Sequence, residues 1–354
     1  MAHIFITDSD FAGTDSSFEY LLGFQPSLGA MILREDELIV LLDARYFLKT
    51  KNIDKDKIRN ILTRPELIVR YELFTDISQG IISQLTTSDE IVLEDNIAIK
   101  YYKNIGDAFQ GNKLKFESAY LDDIKIIKTS LEKTAIKKAI SIIDEVFIYI
   151  EDLVSSQKIL GMTELSLRQL IIAKIFELGG QGESFESIVA FGKNSAVPHH
   201  LSGNTVIEDG VLLIDMGAKY DNYCSDFTRT IWVGEKNDQF HLFQKAHKIV
   251  KTAHETAVNE YTVGMTGGEV DTLARDIIQD SEYKDLFSHS LGHGLGLDIH
   301  EMPRLKKGDK TVLLEGMVFT IEPGIYIEEE FGIRLEDIVF LENNKLVKYT
   351  NINL

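Results

Sequence analysis

The amino-acid sequence predicts a mixed α/β protein with two domains, one over residues 1–122 and a second over residues 123–354. Three observations support this prediction. The chain has 354 residues, which exceeds the length of one average domain. The composition becomes charged over residues 122–128, and a long helical pattern follows. The second half also contains a repeated Gly-Met-Thr motif, which indicates two similar halves within the second domain.

The first domain combines short apolar runs with helical patterns. The run from Glu37 to Leu42 is typical of a buried strand, and the residues from Asp76 to Leu85 are typical of a helix. Histidines and carboxylates do not cluster in this part of the sequence. We therefore interpret residues 1–122 as an accessory α/β domain.

The second domain is expected to begin with a long amphipathic helix. Thr129 and Glu132 have the spacing of a capping box, in which each residue satisfies a backbone amide at the start of a helix. Apolar residues then recur at helical spacing: Ile136, Ile140, Ile143, Phe147 and Ile150.

The repeated motif occurs at Gly161-Met162-Thr163 and at Gly264-Met265-Thr266, each time before a helical pattern and a segment with histidines. The offset between the two copies carries His199 close to His300. We therefore expect the two halves to place histidines on opposite sides of one cleft.

Charge and composition exclude several classes of function. With 37 basic and 56 acidic side chains the formal charge is −19, which would repel nucleic acid and anionic membranes. No stretch approaches the ~20 apolar residues that span a bilayer, and the first residues lack the features of a signal peptide, so we expect a cytoplasmic protein. The single cysteine, Cys224, leaves only His, Asp and Glu as metal ligands.

Two aspartates lie on neighbouring strand-like runs. Asp215 ends the apolar run that starts at Val211, and Asp226 begins the run that ends at Val233. A tight turn between them would let the two carboxylates face each other on adjacent strands. Such a pair repels unless a cation is present, although a single aspartate in this position is usually only a turn residue.

The segment from His289 to Glu301 contains three histidines and three spaced glycines. Glycines at 292, 294 and 296 permit close backbone approach and unusual dihedral angles, as a loop that lines a reaction site requires. One histidine alone would be an ordinary hydrogen-bonded residue. Three together with these glycines favour a site.

Two further carboxylates lie on apolar runs. Glu322 follows residues 317–321 and precedes Pro-Gly, and Glu336 lies within a predicted strand over residues 333–340. Arg334 would share a face with Glu336, so a surface ion pair is the simpler interpretation there. It does not explain Glu322, because an ionised carboxylate is costly in a core unless it is paired or coordinated.

Four carboxylates and one histidine at strand ends form an oxygen-rich set that could hold two divalent ions. Two ions ~3.5–4 Å apart activate a bridging water and stabilise a tetrahedral intermediate. Carboxylates with imidazole favour Mn or Co, with Zn or Fe as alternatives.

The motifs resemble those of the pita-bread metallopeptidases, the family of methionine aminopeptidase, aminopeptidase P and prolidase. The matching segments are LIDMGAKYDNYCSDFTRT, HSLGHGLGLDIHEMP, EGMVFTIEPGIY and GIRLED in the family's order, with FGKNSAVPHH upstream. The resemblance covers residues 123–354 strongly. It implies a pita-bread catalytic domain with pseudo-twofold internal symmetry after a creatinase-like amino-terminal domain, for which FEYLLGF and LLDARY are weaker marks.

The resemblance also implies a role for individual residues. Asp215 resembles the bidentate ligand of the first metal, Asp226 and Glu336 the bridging carboxylates, and His293 and Glu322 the remaining ligands. Glu322 further resembles the residue that shuttles a proton. The other catalytic candidates implied are His199, His289, His300 and Arg334, with His300 stabilising the intermediate. His200 receives no role.

Within the family, the amino-terminal domain fits aminopeptidase P and prolidase better than methionine aminopeptidase. We favour an Xaa-Pro aminopeptidase, which cleaves peptides with proline at the second position by means of a metal-bridged hydroxide, over an Xaa-Pro dipeptidase. A third alternative is an inactive peptide-binding module of the same fold, but all five ligand positions are retained here. The resemblance also implies a homodimer.

Overall fold

The computed structural model describes residues 1–10, 16–94, 97–109, 114–117 and 120–354. The chain forms two compact units, Met1–Lys125 and Ile126–Leu354. Within the described ranges, no helix is long and apolar enough to cross a membrane.

The first unit is built around one sheet. Its strands are β1 Ala2–Asp8, β2 Leu28–Leu33, β3 Glu37–Leu42, β4 Ile68–Leu73, β5 Ile91–Glu94 and β6 Leu114–Glu117. Its helices are α1 Ser16–Leu22, α2 Ala44–Phe47, α3 Lys55–Ile61, α4 Ile77–Gln84, α5 Ile99–Phe109 and α6 Asp122–Lys125, with a 3₁₀ helix at Leu48–Asn52.

The sheet of the first unit has the strand order β4-β3-β2-β1-β5-β6. The central pairs β1/β2 and β2/β3 are antiparallel, and the outer pairs are parallel. Helices α4 and α5 cover one face, where Ile81 and Ile105 are fully buried. The expected strand at Glu37–Leu42 is present, and Asp76 caps helix α4 by accepting a hydrogen bond from the amide of Gln79.

The second unit contains more strands and longer helices. Its strands are β7 Gly182–Glu183, β8 Ile188–Phe191, β9 Gly210–Met216, β10 Ala218–Tyr220, β11 Tyr223–Cys224, β12 Phe227–Val233, β13 Gly292–Gly294, β14 Glu301–Leu305, β15 Val318–Ile321, β16 Gly324–Ile327, β17 Phe331–Arg334, β18 Asp337–Glu342 and β19 Lys345–Lys348. Its helices are α7 Ser130–Ser155, α8 Glu164–Glu177, α9 Gln239–Asn259 and α10 Gly267–Gln279, with a 3₁₀ helix at Gly192–Ala196.

Helix α7 begins where the sequence predicts. The Thr129 side chain accepts a hydrogen bond from the amide of Glu132, and the Glu132 side chain accepts one from the amide of Thr129, which completes the capping box. Ile136, Ile143 and Ile150 are buried on one face of the helix. Amphipathic spacing therefore sets which face of the helix contacts the core.

The second unit contains the same arrangement twice. Helices α7 and α8 pack on the sheet β12-β9-β8, and helices α9 and α10 pack on the sheet β14-β13-β15-β18-β19. Both repeated motifs end in a threonine that caps the following helix, and their glycines have φ of 85° and 93°. Thr163 and Thr266 each form an isolated antiparallel bridge, with Val206 and Val312. The repeat seen in the sequence is therefore structural.

One strand prediction is wrong. Residues 333–340 do not form one strand, because the chain changes sheets between β17 and β18, and Glu336 lies at the change. Its backbone pairs instead with Thr228, whose carbonyl accepts a hydrogen bond from the Glu336 amide at 3.0 Å. This bridge joins the two halves of the second unit at the acidic residues.

Candidate metal centre

Strand pairing brings the two aspartates together. Asp215 lies on β9, and Asp226 directly precedes β12. The antiparallel register puts Thr228 opposite Asp215, so Asp226 lies near the same end of the hairpin. The expected tight turn lies between the two aspartates in the chain, where Asp221 and Asn222 have φ of 50° and 65°.

The other half supplies the remaining three residues. His293 lies on β13, Glu322 directly follows β15, and Glu336 lies between β17 and β18. The Nε2 atom of His293 is 3.5 Å from Oδ2 of Asp226 and 3.4 Å from Oε1 of Glu322. Potential ligand atoms of Asp226, His293 and Glu336 all lie within 4.8 Å of one another. Residues far apart in the sequence thus meet in one buried place.

The orientation of the His293 ring is fixed by its backbone. Its Nδ1 atom lies 3.0 Å from the carbonyl oxygen of Gly294 and must donate, because a carbonyl only accepts. This leaves the lone pair of Nε2 facing the carboxylates, which is the tautomer a metal ligand requires. Thr320 supports the same residues, since its hydroxyl accepts from the His293 amide at 3.1 Å and donates to Glu322 at 3.3 Å.

The glycines around His293 allow close backbone approach, as the sequence indicates. A Cβ atom at Gly292 would lie 2.0 Å from the carbonyl oxygen of Thr320, and one at Gly294 would lie 2.0 Å from that of Met302. The expected unusual dihedral angles are absent at positions 292, 294 and 296, where no φ falls in the left-handed region. These glycines are required by space rather than by conformation.

Arg334 does not form the surface ion pair with Glu336 that the sequence suggests. It is only 4% exposed, and its Nη2 donates to Oδ2 of Asp215 at 2.5 Å. Thr228 connects this pair to Glu336, because its hydroxyl accepts from Arg334 Nε at 3.1 Å and donates to Glu336 Oε2 at 2.6 Å. Strand alternation does not relate these two side chains, because the strand ends at Arg334.

The site carries more negative charge than its own cations offset. Burial, followed by the charges of Glu336 and Asp215, raises the pKa of Asp226 well above its ordinary value. Burial also raises the pKa of Glu336, with further contributions from Glu322 and Asp215. The pKa of Glu322 is raised mainly by burial and then by Asp226 and Asp215, although Arg334 opposes the shift.

This arrangement fits divalent metal ions. Oδ1 of Asp215 is buried without a hydrogen-bond partner in the described part of the chain. Buried carboxylates that repel one another need protons or a cation, and oxygen donors with one imidazole suit a divalent transition metal. The donor set Asp215, Asp226, His293, Glu322 and Glu336 is therefore chemically consistent with such ions.

The three other predicted histidines differ in their exposure and in their contacts with the site. His300 is exposed, and its ring centroid lies 4.5 Å from that of His293. Nδ1 of His289 lies 3.9 Å from Oε2 of Glu322, and burial lowers the pKa of His289 to about 3. His199 is exposed, and it lowers the pKa of His300 after the effect of desolvation; it also lowers the pKa of His289, where desolvation and Arg334 contribute more. All the histidines predicted for the site therefore lie near it.

Sequence reasoning missed Tyr326. Its hydroxyl lies 2.8 Å from Nε2 of His289 and accepts from Arg334 Nη1 at 2.9 Å, so it connects two predicted site residues. Thr228 and Thr320 also support site residues without being predicted to do so. Each lies two positions from a predicted ligand, so strand alternation places them on the ligand's face and could have identified them.

Comparisons with known proteins point to one family. Residues 134–343 match the model of metallopeptidase family M24. A putative Xaa-Pro aminopeptidase of Mycoplasma pneumoniae is 35% identical over 343 residues, covering 96% of this chain and 91% of the relative. An Xaa-Pro dipeptidase of Pyrococcus furiosus is 37% identical over 289 residues, covering 80% of this chain and 78% of that protein.

Similarity to solved structures extends over both units. The crystal structure of an X-Pro aminopeptidase from Thermotoga maritima has a TM-score of 0.83 and 31% sequence identity, covering 99% of this chain and 96% of that chain. The predicted fold class, a pita-bread catalytic domain after an amino-terminal domain, is thereby confirmed.

Proposed function

The chain belongs to metallopeptidase family M24, and we propose that it is an Xaa-Pro aminopeptidase that hydrolyses the bond between an N-terminal residue and proline. The observation that carries this proposal is the convergence of three buried carboxylates, the half-buried Glu322 and His293 from both halves of the second unit. We further propose residues 123–354 as the catalytic domain and residues 1–122 as a creatinase-type accessory domain.

The proposed ligands are Asp215, Asp226, His293, Glu322 and Glu336. When bound there, two divalent ions would lower the pKa of a shared water and stabilise negative charge on the substrate carbonyl. Arg334 orients Asp215 through the 2.5 Å ion pair, and the Thr228 hydroxyl orients Glu336 through a 2.6 Å hydrogen bond. Residues that orient ligands in this way commonly affect metal affinity as strongly as activity.

Glu322 is the proposed proton carrier. Its carboxylate lies next to the other proposed ligands, 3.4 Å from Nε2 of His293, where it can accept a proton from the attacking water. The same group then delivers the proton to the proline nitrogen, since a secondary amine leaves slowly when unprotonated. The Thr320 hydroxyl, 3.3 Å from Oε1 of Glu322, helps to orient it.

His300 is the proposed donor to the oxyanion. Its imidazole offers an N–H donor in either protonation state. Its ring packs against that of His293, next to the proposed ligands. A donor already in place costs no reorganisation when charge develops on the carbonyl oxygen.

His199 and His289 are proposed to contact the substrate. His289 is held by Tyr326, whose hydroxyl also accepts from Arg334, so this histidine is oriented rather than mobile. His199 projects from a loop and is exposed.

Xaa-Pro dipeptidase activity is the alternative, because relatives of both kinds cover most of the chain. Kinetics with an Xaa-Pro dipeptide and with peptides extended beyond proline separate the two. Comparable or higher kcat/KM for the longer peptides supports an aminopeptidase, and activity confined to dipeptides supports a dipeptidase. Full activity in excess chelator, or no hydrolysis of either substrate in the metal-loaded protein, would contradict the proposal.

We also propose two divalent ions per subunit, with Mn or Co giving the highest activity, and a homodimer. The oxygen-rich donor set supports the metal preference. Elemental analysis after metal titration measures the stoichiometry, and light scattering measures the mass in solution. One ion or none at saturation, or a monomeric mass, would refute the respective statement.

A further inference from the structure

A buried carboxylate outside the metal centre has no role so far. Glu164, the first residue of α8, is fully buried. Its Oε1 accepts from the Phe191 amide at 2.8 Å and from Asn194 Nδ2 at 2.9 Å, and its Oε2 accepts from His200 Nε2 at 2.9 Å and from the Gly203 amide at 3.0 Å. Burial alone would raise its pKa, but these hydrogen bonds lower it, so the group is ionised.

All four donors belong to one loop. Residues 191–203 lead from the end of β8 through the 3₁₀ helix at Gly192–Ala196 to Gly203. Glu164 holds both ends of this loop and two positions within it. Val197 and Leu201 are 53% and 72% exposed, so the tip of the loop buries little apolar surface. Its conformation therefore depends on these polar contacts more than on packing.

The same loop also contacts residues beside the candidate metal centre. The Gly332 amide donates to Ser195 Oγ at 2.8 Å, and Arg334 Nη1 lies 3.5 Å from the carbonyl oxygen of Pro198. A Cβ atom at Gly332 would lie 2.0 Å from the Ser195 carbonyl oxygen, so the two backbones are in close contact. The exposed His199 lies between these anchors and His200.

We infer that Glu164 and His200 are positioning residues that hold the 191–203 loop so that His199 is presented to the substrate. This inference rests on the proposed function, in which His199 contacts the substrate. The described contacts of Glu164 include none of the proposed ligands. Its effect on activity therefore passes through the loop and not through metal binding.

The carboxylate is better suited to this task than an amide. Each oxygen accepts from two donors, and a glutamine at this position would turn an NH₂ group toward two of them. Those donors would be left without acceptors in a buried place, and the loop would shift to satisfy them. A misplacement of about 1 Å in a substrate-contacting group can cost on the order of 100-fold in rate.

The first test compares Glu164→Gln with Glu177→Gln, a matched change at the exposed end of the same helix. We expect kcat/KM of Glu164→Gln on an Xaa-Pro peptide to fall roughly 10- to 100-fold with bound metal unchanged, and Glu177→Gln to match the parent. The division of the loss between kcat and KM should copy that of His199→Ala. Loss of metal, or parental kinetics in the folded variant, would overturn the inference.

A double-mutant cycle separates positioning from general damage. If Glu164 acts through His199, adding Glu164→Gln to His199→Ala should lower kcat/KM less than twofold further. If the two losses multiply, Glu164 acts by another route and the inference is wrong.

His200 provides a second pair of variants, in case Glu164→Gln does not fold. His200→Gln can place an amide donor near the position of Nε2, whereas His200→Leu removes the donor. We expect His200→Gln to retain activity and His200→Leu to lose about 10-fold, in the same kcat and KM pattern as His199→Ala. Equal activity of the two variants would refute a positioning role for this hydrogen bond.

Hydrogen exchange supplies a readout that does not depend on activity. Amides of residues 192–203 should exchange faster in Glu164→Gln and His200→Leu than in the parent, and at parental rates in Glu177→Gln and His200→Gln. Unchanged exchange in all four variants would overturn the inference even if the parent is an active peptidase. Conversely, a parent that cleaves no Xaa-Pro peptide refutes the proposed function, while exchange still tests how the loop is held.

Discussion

Substitution of His300 by alanine separates a chemical role from a structural one. His300 is exposed, and its described ring contact is with His293, a type of contact worth about 0.5–1.5 kcal/mol. A loss of that size in a domain of this length lowers Tm by only a few degrees, about 2–4 °C per kcal/mol. Loss of one oxyanion donor costs about 10²–10³ in kcat, or about 2.7–4 kcal/mol. We therefore expect a nearly stable enzyme with much lower kcat.

The assay measures kcat, bound metal and Tm at saturating Mn for His300→Ala and for two comparison variants. His293→Ala should lose metal together with activity, because it removes a proposed ligand. His241→Ala removes another exposed histidine, on α9, and should match the parent in all three measurements. A metal-replete His300→Ala enzyme with nearly parental kcat would refute the oxyanion role.

Three further predictions follow from the buried polar contacts. Thr228→Val removes a hydroxyl that donates to Glu336, so chemical denaturation of the metal-free protein should show a free energy of unfolding lower by about 1–3 kcal/mol. The exposed Thr252→Val should change it little, and equal losses in the two variants would contradict the prediction. Burial raises the pKa values of three acidic ligands, so metal titration near pH 7 should release protons. Calorimetry detects the release as a binding heat that changes with the ionisation enthalpy of the buffer. The same heat in every buffer would contradict the prediction. Arg229 and other nearby cations outweigh the effect of burial and lower the pKa of Asp337 to about 2. The Asp337 carboxylate therefore stabilises the folded protein above its ordinary pKa of 3.8, and this stabilisation is lost as the pH falls toward 2. Asp337→Asn should cost about 3–5 kcal/mol at pH 7 and progressively less below pH 4, and a pH-independent difference would refute the assignment.

Local chemistry in the sequence predicted local structure well. The Thr129–Glu132 pair predicted where α7 begins because a capping box involves only adjacent residues. The repeated Gly-Met-Thr motif predicted two equivalent helix starts for the same reason, since glycine supplies the positive φ and threonine the cap. Clustered residue types likewise identified the acidic and histidine residues that meet in the site.

Contacts between distant segments were the part that sequence reasoning could not supply. Arg334 was paired with its neighbour Glu336 because alternation treats a strand as continuous, whereas the chain changes sheets there and the partner is Asp215. Glu164 gave no signal, because its four donors lie 27 to 39 residues farther along the chain. Tyr326 acquires its partners only when β16 and β17 fold together.

The bridge between Thr228 and Glu336 has a further consequence for how the second unit responds to chelation. Asp215 and Asp226 precede the exposed residues 234–238, while the other three proposed ligands follow them. Each half thus carries an incomplete set of donors, and bound ions would act as a removable cross-link between the halves. With the ions removed, the acidic ligands of one half would repel those of the other half. After proteolytic cleavage at 234–238, the two pieces would therefore hold together more weakly without metal than with it.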